Sequence, residues 1–201
     1  MYFIFVIFTC FIIYGQYKKI NKPTPDNIEI LQYNNPDDST YENIVSENQP
    51  CVFTNILDNV ELTKKNINSY FDYYLPDLCL TKIFEISQTK RKQYTKLIKQ
   101  NYYRFFIYQI KGVQKIILFP KKDEKNLYLD KTRNFSNIDF WKLNPKVYPL
   151  INEASYLEII LRPRQMLVIP YGWWYTIESQ SASNSLICKS ETVFSRFLKK
   201  K

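Results

Sequence analysis

The stretch from Tyr156 to Ser179 constrains the fold more than any other part of the chain. It contains three apolar runs of strand length, separated by turn residues. A polar turn around Pro163 ends the first run, and Pro170 ends the second. Proline fixes its own backbone and cannot donate to a sheet ladder, so it marks these strand ends. We therefore predict three short consecutive strands in this stretch.

The third run begins at Trp173 and alternates as a β-strand would. Side chains of a strand point to opposite faces in turn. The sequence therefore predicts that one face carries Trp173, Tyr175 and Ile177, and that the other carries Trp174, Thr176 and Glu178.

A second strand pair is predicted over residues 102–120, where Gly112 separates two apolar runs. Glycine adopts the positive φ that tight hairpins need, so Gly112 is expected at the turn. We also expect short strands at residues 28–31, 50–55 and 80–87, and a last strand with a tail over 185–197. A helix is predicted over residues 58–74. A second, short helix is expected where Ser136 and Asp139 form its cap, and residues 89–100 are expected to form either a basic loop or a short helix.

The N-terminal segment from Tyr2 to Tyr14 is apolar, and no charge precedes Lys18. Its length is at the short edge of a membrane-spanning helix. We favour an uncleaved anchor, with a cleaved signal sequence or a buried strand as alternatives. Lys18, Lys19 and Lys22 follow the segment, and the positive-inside tendency then places the domain on the cytoplasmic side of a single-pass membrane protein. A secreted or virion-associated protein is the alternative.

This gives three parts: residues 1–17 as membrane anchor or signal sequence, 18–49 as tether and domain start, and 50–201 as the folded domain. Buried strands are expected to hold Ile107, Leu118, Leu167, Ile169 and Trp173 in the core.

Composition excludes several kinds of site. The chain has 201 residues and no histidine, which rules out Ser-His-Asp and Cys-His pairs within it. Three glycines cannot supply a phosphate-binding loop. The net charge of +9 is scattered, so we expect no nucleic-acid partner. The four cysteines form no CxxC pair and are predicted to be reduced: Cys10, Cys51, Cys79 and Cys188.

Two motifs resemble the cupin-like JmjC oxygenases, especially the asparaginyl-hydroxylase type. That family shows Phe-x-x-Gln-Ile-x-Gly followed by a strand ending in Leu-Phe-Pro, and later Ile-Pro followed by Trp-Trp-His. The likeness covers residues 50–188 and implies a mainly β fold, a double-stranded β-helix or jelly-roll barrel with flanking helices and an N-terminal hydrophobic helix. The matching residues are Phe106, Gln109, Ile110, Gly112, Leu118, Phe119 and Pro120, and then Ile169, Pro170, Trp173 and Trp174.

The same resemblance indicates where the family's chemistry should lie. Family members hold Fe(II) through His-x-Asp/Glu and a distant histidine, and a lysine pairs with 2-oxoglutarate. Aligned without gaps, Lys99 and Asn101 stand at the first two ligand positions and Tyr175 at the third. Gln114 stands at the lysine position. We therefore predict a degenerate site with no metal, no cofactor and no catalytic residue.

Trp173 and Tyr175 either fill the barrel or line a candidate pocket for a small ligand or peptide. The predicted function is a catalytically inactive, membrane-tethered cupin-like module that binds or supports a protein partner. The alternatives are an Fe(II)/2-oxoglutarate oxygenase with an atypical site and a membrane-associated structural protein whose barrel binds nothing. The abundance of Lys, Asn, Ile and Tyr fits an AT-rich genome such as that of a large DNA virus.

Overall fold

A computed structural model describes residues 2–20, 22–35, 37–56, 67–72, 74–75, 81–132 and 134–198. Strands dominate the described part of the chain, and a few helices flank them. The strands are β1 (Leu31–Asn34), β2 (Cys51–Thr54), β3 (Thr81–Thr89), β4 (Ile98–Lys99), β5 (Arg104–Lys111), β6 (Gln114–Phe119), β7 (Leu157–Leu161), β8 (Gln165–Val168), β9 (Trp174–Ser179) and β10 (Ser183–Glu191). The α-helices are α1 (Tyr2–Ile20), α2 (Asp38–Val45), α3 (Ile67–Asp72) and α4 (Val193–Leu198), and 3-10 turns span Lys121–Asn126, Phe140–Lys142 and Pro149–Glu153.

The strands form two sheets. The larger sheet has the order β1-β2-β8-β5-β10-β3, and the smaller has the order β4-β9-β6-β7. Only the β1–β2 pair is parallel among the described strand pairs. Consecutive strands β5 and β6 belong to different sheets, so their hairpin joins the two layers. This arrangement agrees with the predicted jelly-roll barrel.

The two sheets share one apolar core, which we call the barrel interior. Its members come from β2, β5, β8 and the β8–β9 connection on one side, and from β6, β7 and β9 on the other. Burial of these side chains is the main force that holds the layers together. The buried members are Val52, Phe105, Ile107, Ile116, Leu118, Ile159, Leu161, Leu167, Ile169, Trp173 and Ile177. The five residues predicted as buried are among them, so that prediction is confirmed.

The outer faces of both sheets are covered as well. Phe71 of α3 packs its ring 5.6 Å from that of Phe106 on the larger sheet. Tyr41 and Ile44 of α2 join the same cluster. Thus residues 31–45, at the predicted domain start, contribute β1 and α2 to the domain. On the smaller sheet, Trp174 packs with side chains of the 3-10 segments.

The predicted turn at Gly112 is confirmed, since this residue has a φ of +80° between β5 and β6. A Cβ at this position would collide with the carbonyl oxygen of Ala182. Glycine is therefore required here for both its backbone conformation and its small size.

Other local predictions have mixed outcomes. Of the helix predicted over 58–74, residues 58–66 and 73 lie outside the described residues, and the rest contains α3. The predicted Ser136–Asp139 cap is wrong: no side chain caps the 3-10 turn that begins at Phe140. Ser136 instead donates to the Leu127 carbonyl, because its side chain is buried between two loops. Residues 90–97 form a loop that leads into β4, so the short-helix option over 89–100 is wrong.

The cysteines of the described part are free. Cys51 and Cys188 are buried in the outer-face core, and Cys10 is exposed on α1. Burial raises the pKa of both buried thiols, so they remain protonated at neutral pH. Cys79 lies outside the described residues.

The N-terminal segment is helical, and α1 extends beyond the predicted apolar stretch to Ile20. In the ranges that the structure describes, no helix is both long and apolar enough to cross a membrane. The predicted membrane-spanning helix is therefore not confirmed, because the apolar stretch gives way to Gln16, Lys18 and Lys19 within α1.

Candidate functional site

An aromatic group closes one end of the barrel interior, and we call it the aromatic end. Tyr175 of β9 packs its ring 5.2 Å from that of Phe105 on β5. Phe105 in turn stacks on Tyr102, with 6.3 Å between ring centroids. Trp173 is fully buried beside them. The prediction that Trp173, Tyr175 and Ile177 share a face is confirmed, since all three contribute to the barrel interior.

An ion pair lies at the rim of the aromatic end. The Lys189 ammonium is 2.7 Å from the Glu85 carboxylate and 5.5 Å from the centroid of the Tyr102 ring. Glu85 is the cross-strand partner of Ile187, and Lys189 lies two residues further along β10, so both lie on the inward face of the larger sheet. The Lys189 ammonium is therefore engaged by both a carboxylate and an aromatic ring.

Burial raises the pKa of the Tyr175 phenol, and nearby Tyr102 and Glu85 raise it further. The phenol therefore keeps its proton throughout the neutral range. A protonated phenol is a weak donor to a metal ion, unlike the neutral imidazole for which it stands.

The structure does not bring Lys99 together with Tyr175. In the β4–β9 pair, Lys99 is opposite Trp174, whose side chain lies on the outer face of the smaller sheet. The Lys99 ammonium is 2.6 Å from the Glu124 carboxylate and lies over the Trp174 ring. Asn101 donates to the side-chain oxygen of Asn134 at 2.7 Å. Both side chains therefore make contacts away from Tyr175.

Two residues that the sequence did not indicate share the inward face with Tyr175. Ile98 is its cross-strand partner, and Gln100 pairs through its backbone with Trp173 and Gly172. Gln100 is buried, and its amide donates to the carbonyls of Tyr102 and Ile169. No sequence signal distinguished these residues, because β4 has only two residues and shows no alternation.

The other end of the barrel interior is polar, and we call it the polar end. Gln114 of β6 is paired with Leu161 and Ser179 and is buried. Its side-chain oxygen has no hydrogen-bond partner in the described ranges, and the same holds for the buried oxygen of Gln109. Lys115 points to the opposite face, as predicted, and pairs with Glu158 at 2.8 Å. Gln114 therefore lies inside the barrel, but as a neutral amide.

The fold and motifs agree with a comparison to known protein families. A model of the cupin-like domain family matches residues 84–189, which is more than half of the chain. The chain belongs to the cupin-like domain family. The match runs from β3 to β10, so it covers most strands of both sheets in this cupin-like domain.

Relatives of this cupin-like domain include proteins named for the JmjC domain. Jumonji C domain-containing protein 5 of Drosophila melanogaster is 32% identical over 81 residues, which are 39% of this chain and 20% of that protein. Lysine-specific demethylase 8 of Xenopus tropicalis is 33% identical over 84 residues, 40% of this chain and 19% of that protein. Human HSPB1-associated protein 1 is 30% identical over 78 residues, 36% of this chain and 16% of that protein. The aligned segments thus span about a fifth of these relatives or less.

The residues of this cupin-like domain do not fit the Fe(II) that the JmjC resemblance implies. Among the described residues, no group of three His, Cys, Asp or Glu side chains could hold a metal ion. The inward-facing side chains at the matching place are Ile98, Gln100 and Tyr175, which supply an alkyl group, an amide and a partly buried phenol. Non-haem Fe(II) sites use two imidazoles and a carboxylate.

The residues do not fit 2-oxoglutarate either. Gln114 offers no positive charge to a carboxylate. The interior between Gln114 and Tyr175 is occupied by Ile116, Leu118 and Ile177, each buried in the apolar core. A dicarboxylate placed there would lose its hydration without a compensating charge.

Proposed function

We propose that this protein is a non-catalytic cupin-like module that binds or supports a protein or peptide partner and is held at a membrane through α1. One observation supports the proposal that the protein is non-catalytic: apolar side chains of the core occupy the place where the JmjC resemblance would put iron and co-substrate. The Tyr175–Phe105 ring contact and the apolar interior support a barrel that serves as a scaffold.

The exposed apolar side chains of α1 support the membrane part of the proposal. Ile4, Phe8 and Phe11 each expose more than 60% of their surface. Exposed apolar surface of this extent commonly marks a contact with lipid or with another protein. Lys18 and Lys19 at the end of α1, with Lys22 just after it, support a cytoplasmic position for the domain under the positive-inside tendency.

Metal analysis combined with a turnover assay tests the non-catalytic proposal. The purified protein is reconstituted with Fe(II) without oxygen, supplied with 2-oxoglutarate and then exposed to oxygen. We expect no stoichiometric iron and no succinate above a protein-free control, because the side chains at the matching place, Ile98, Gln100 and Tyr175, offer no imidazole or carboxylate. Stoichiometric iron together with succinate would contradict the proposal and favour an oxygenase with an atypical site. The match to a protein named as a demethylase supports that alternative.

Two matched triple variants test where a metal site would have to be. The first combines Ile98→His, Gln100→Asp and Tyr175→His, which places all three new ligands on the inward face. The second combines Lys99→His, Asn101→Asp and Tyr175→His, which leaves two of them outside. Paired positions on adjacent strands have Cβ atoms about 5 Å apart, close enough for two imidazoles to share an ion. We expect Co(II) to give a ligand-field spectrum with the first variant only, while circular dichroism verifies that both fold.

A further inference from the structure

The apolar side chains of α1 face in all directions around the helix. Seven apolar side chains at positions 4 to 13 expose 41–76% of their surface, so they do not pack on the barrel: Ile4, Val6, Ile7, Phe8, Phe11, Ile12 and Ile13. A helix that is apolar on every side requires an apolar surrounding on every side. A single partner helix would cover only one stripe, whereas lipid chains surround the whole helix.

The charge next to this helix has one sign. Lys18 and Lys19 lie in the last part of α1 and Lys22 follows it, while Asp26 is the first acidic residue of the chain. The side chains of Lys18 and Lys22 are exposed. We call Lys18, Lys19 and Lys22 the basic collar. Its charge complements the phosphate and carboxylate groups of anionic lipids.

The basic collar is attached firmly to the domain. Ile20 is 3% exposed and lines a small cavity with Arg104 and Pro170. The Asn48 amide donates to the Lys22 carbonyl at 2.6 Å, and the Lys22 ammonium donates to the Ser46 carbonyl at 2.9 Å. The Lys22 side chain thus lies beside the α2–β2 connection. When α1 enters lipid, this face of the domain is the one brought to the headgroups.

We propose that the basic collar and the adjoining α2–β2 connection form a docking surface for anionic lipid headgroups, with the apolar part of α1 inserted among the acyl chains. The inference rests on the proposed membrane attachment and adds the class of lipid and the face of the domain. Each lysine near an anionic bilayer strengthens binding by about fivefold, so the three together supply about 100-fold.

Vesicle flotation of the protein with α1 intact tests the inference. One set of vesicles contains phosphatidylcholine alone, and the other replaces about a third of it with phosphatidylserine to give an anionic surface. The variant combines Lys18→Gln, Lys19→Gln and Lys22→Gln. The matched control combines Lys90→Gln, Arg91→Gln and Lys92→Gln, which removes the same charge from an exposed loop. A Phe8→Asp and Phe11→Asp variant tests insertion.

We expect tighter binding to anionic vesicles, a loss of about 100-fold in the collar variant, and a change of less than about threefold in the loop control. Equal binding of the unaltered protein to both vesicle types would overturn the anionic docking surface and leave the membrane attachment standing. Binding to neither type, or unchanged binding of the Phe8→Asp and Phe11→Asp variant, would overturn both. Equal losses in the collar and loop variants would place the attraction in the overall charge of the protein and contradict a defined collar.

Discussion

The two ends of the barrel interior are built by different means. At the aromatic end, Trp173, Phe105 and Tyr175 fill the space with rings. At the polar end, Gln114 and Gln109 place amide groups between the sheets, and their buried oxygens find no partner within the described part of the chain. Packing is satisfied by shape alone, but a buried polar atom also needs a directed partner.

This difference indicates which end stabilises the fold. Each buried ring contributes through its large buried area, although the indole N–H of Trp173 also lacks a partner among the described residues. At the polar end, each acceptor without a partner costs about 1–3 kcal/mol, and no ring area offsets that cost. At the aromatic end, where the resemblance would place a metal ion, the side chains belong to the apolar core. At the polar end, where it would place the co-substrate, Gln109 and Gln114 are buried polar groups that packing does not require.

The largest effect is expected from Trp173→Ala at the aromatic end. Removing this fully buried ring leaves a cavity and should lower the free energy of unfolding by about 3–5 kcal/mol. Urea unfolding followed by fluorescence and circular dichroism measures the loss. Trp173→Phe is the control and should lose clearly less, since a ring remains. Equal stability of Trp173→Ala and the unaltered protein would show that the aromatic end does not support the fold.

Gly112→Ala probes the turn next to the polar end. The new methyl group would collide with the backbone of Ala182, and alanine would have to adopt a φ of +80°. We therefore expect the free energy of unfolding to fall by about 3 kcal/mol. Gly172→Ala is the matched control: its φ is +85°, but its nearest contact is the flexible Lys121 side chain, which limits the loss to about 1 kcal/mol. Thermal unfolding measures both variants. An equal decrease in stability for the two would contradict the close approach of the Gly112 and Ala182 backbones.

Gln114→Leu should stabilise the polar end by about 1 kcal/mol, because it removes a buried oxygen that lacks a partner. Gln109→Leu is the contrasting variant. Its amide donates to the Lys111 carbonyl at 2.8 Å, so losing it should cost about 1 kcal/mol. The denaturant midpoints of both variants measure these changes in stability. A lower midpoint for Gln114→Leu than for the unaltered protein would show that the Gln114 amide supports the fold.

The smallest effect at neutral pH is expected from Tyr175→Phe, which keeps the ring packing. Because burial raises the pKa of Tyr175 in the folded chain, the unfolded chain loses this proton first, near pH 10. The stability that the Tyr175 phenol contributes is therefore fully present below about pH 10 and decreases as the pH rises above that value. The decrease in unfolding free energy between pH 7 and about pH 11 should therefore be smaller for Tyr175→Phe than for the unaltered protein. A parallel loss in both proteins would place the titration elsewhere, for example at Tyr41.

The sequence predicted much of the fold because its signals are local. Gly112 and Pro170 mark turns, and the alternation after Trp173 assigned its side chains to the correct faces. The Ser136 cap failed for the opposite reason: a serine hydroxyl has several backbone partners within reach, and the contact between loops decided among them. The apolar run from Tyr2 to Tyr14 likewise predicted a helix but not its length or its packing at Ile20.

By itself the sequence determined a strand-rich domain of the cupin-like family and showed that no imidazole is present at the positions where the JmjC resemblance would place metal ligands. Only the tertiary structure decided which residues of the 98–101 segment face the interior. Side chains of a strand alternate, so a shift of one residue in register exchanges its two faces. Pairing with β9 puts Ile98 beside Tyr175 and turns Lys99 outward to Glu124, and a two-residue strand carries no pattern from which that register could be predicted.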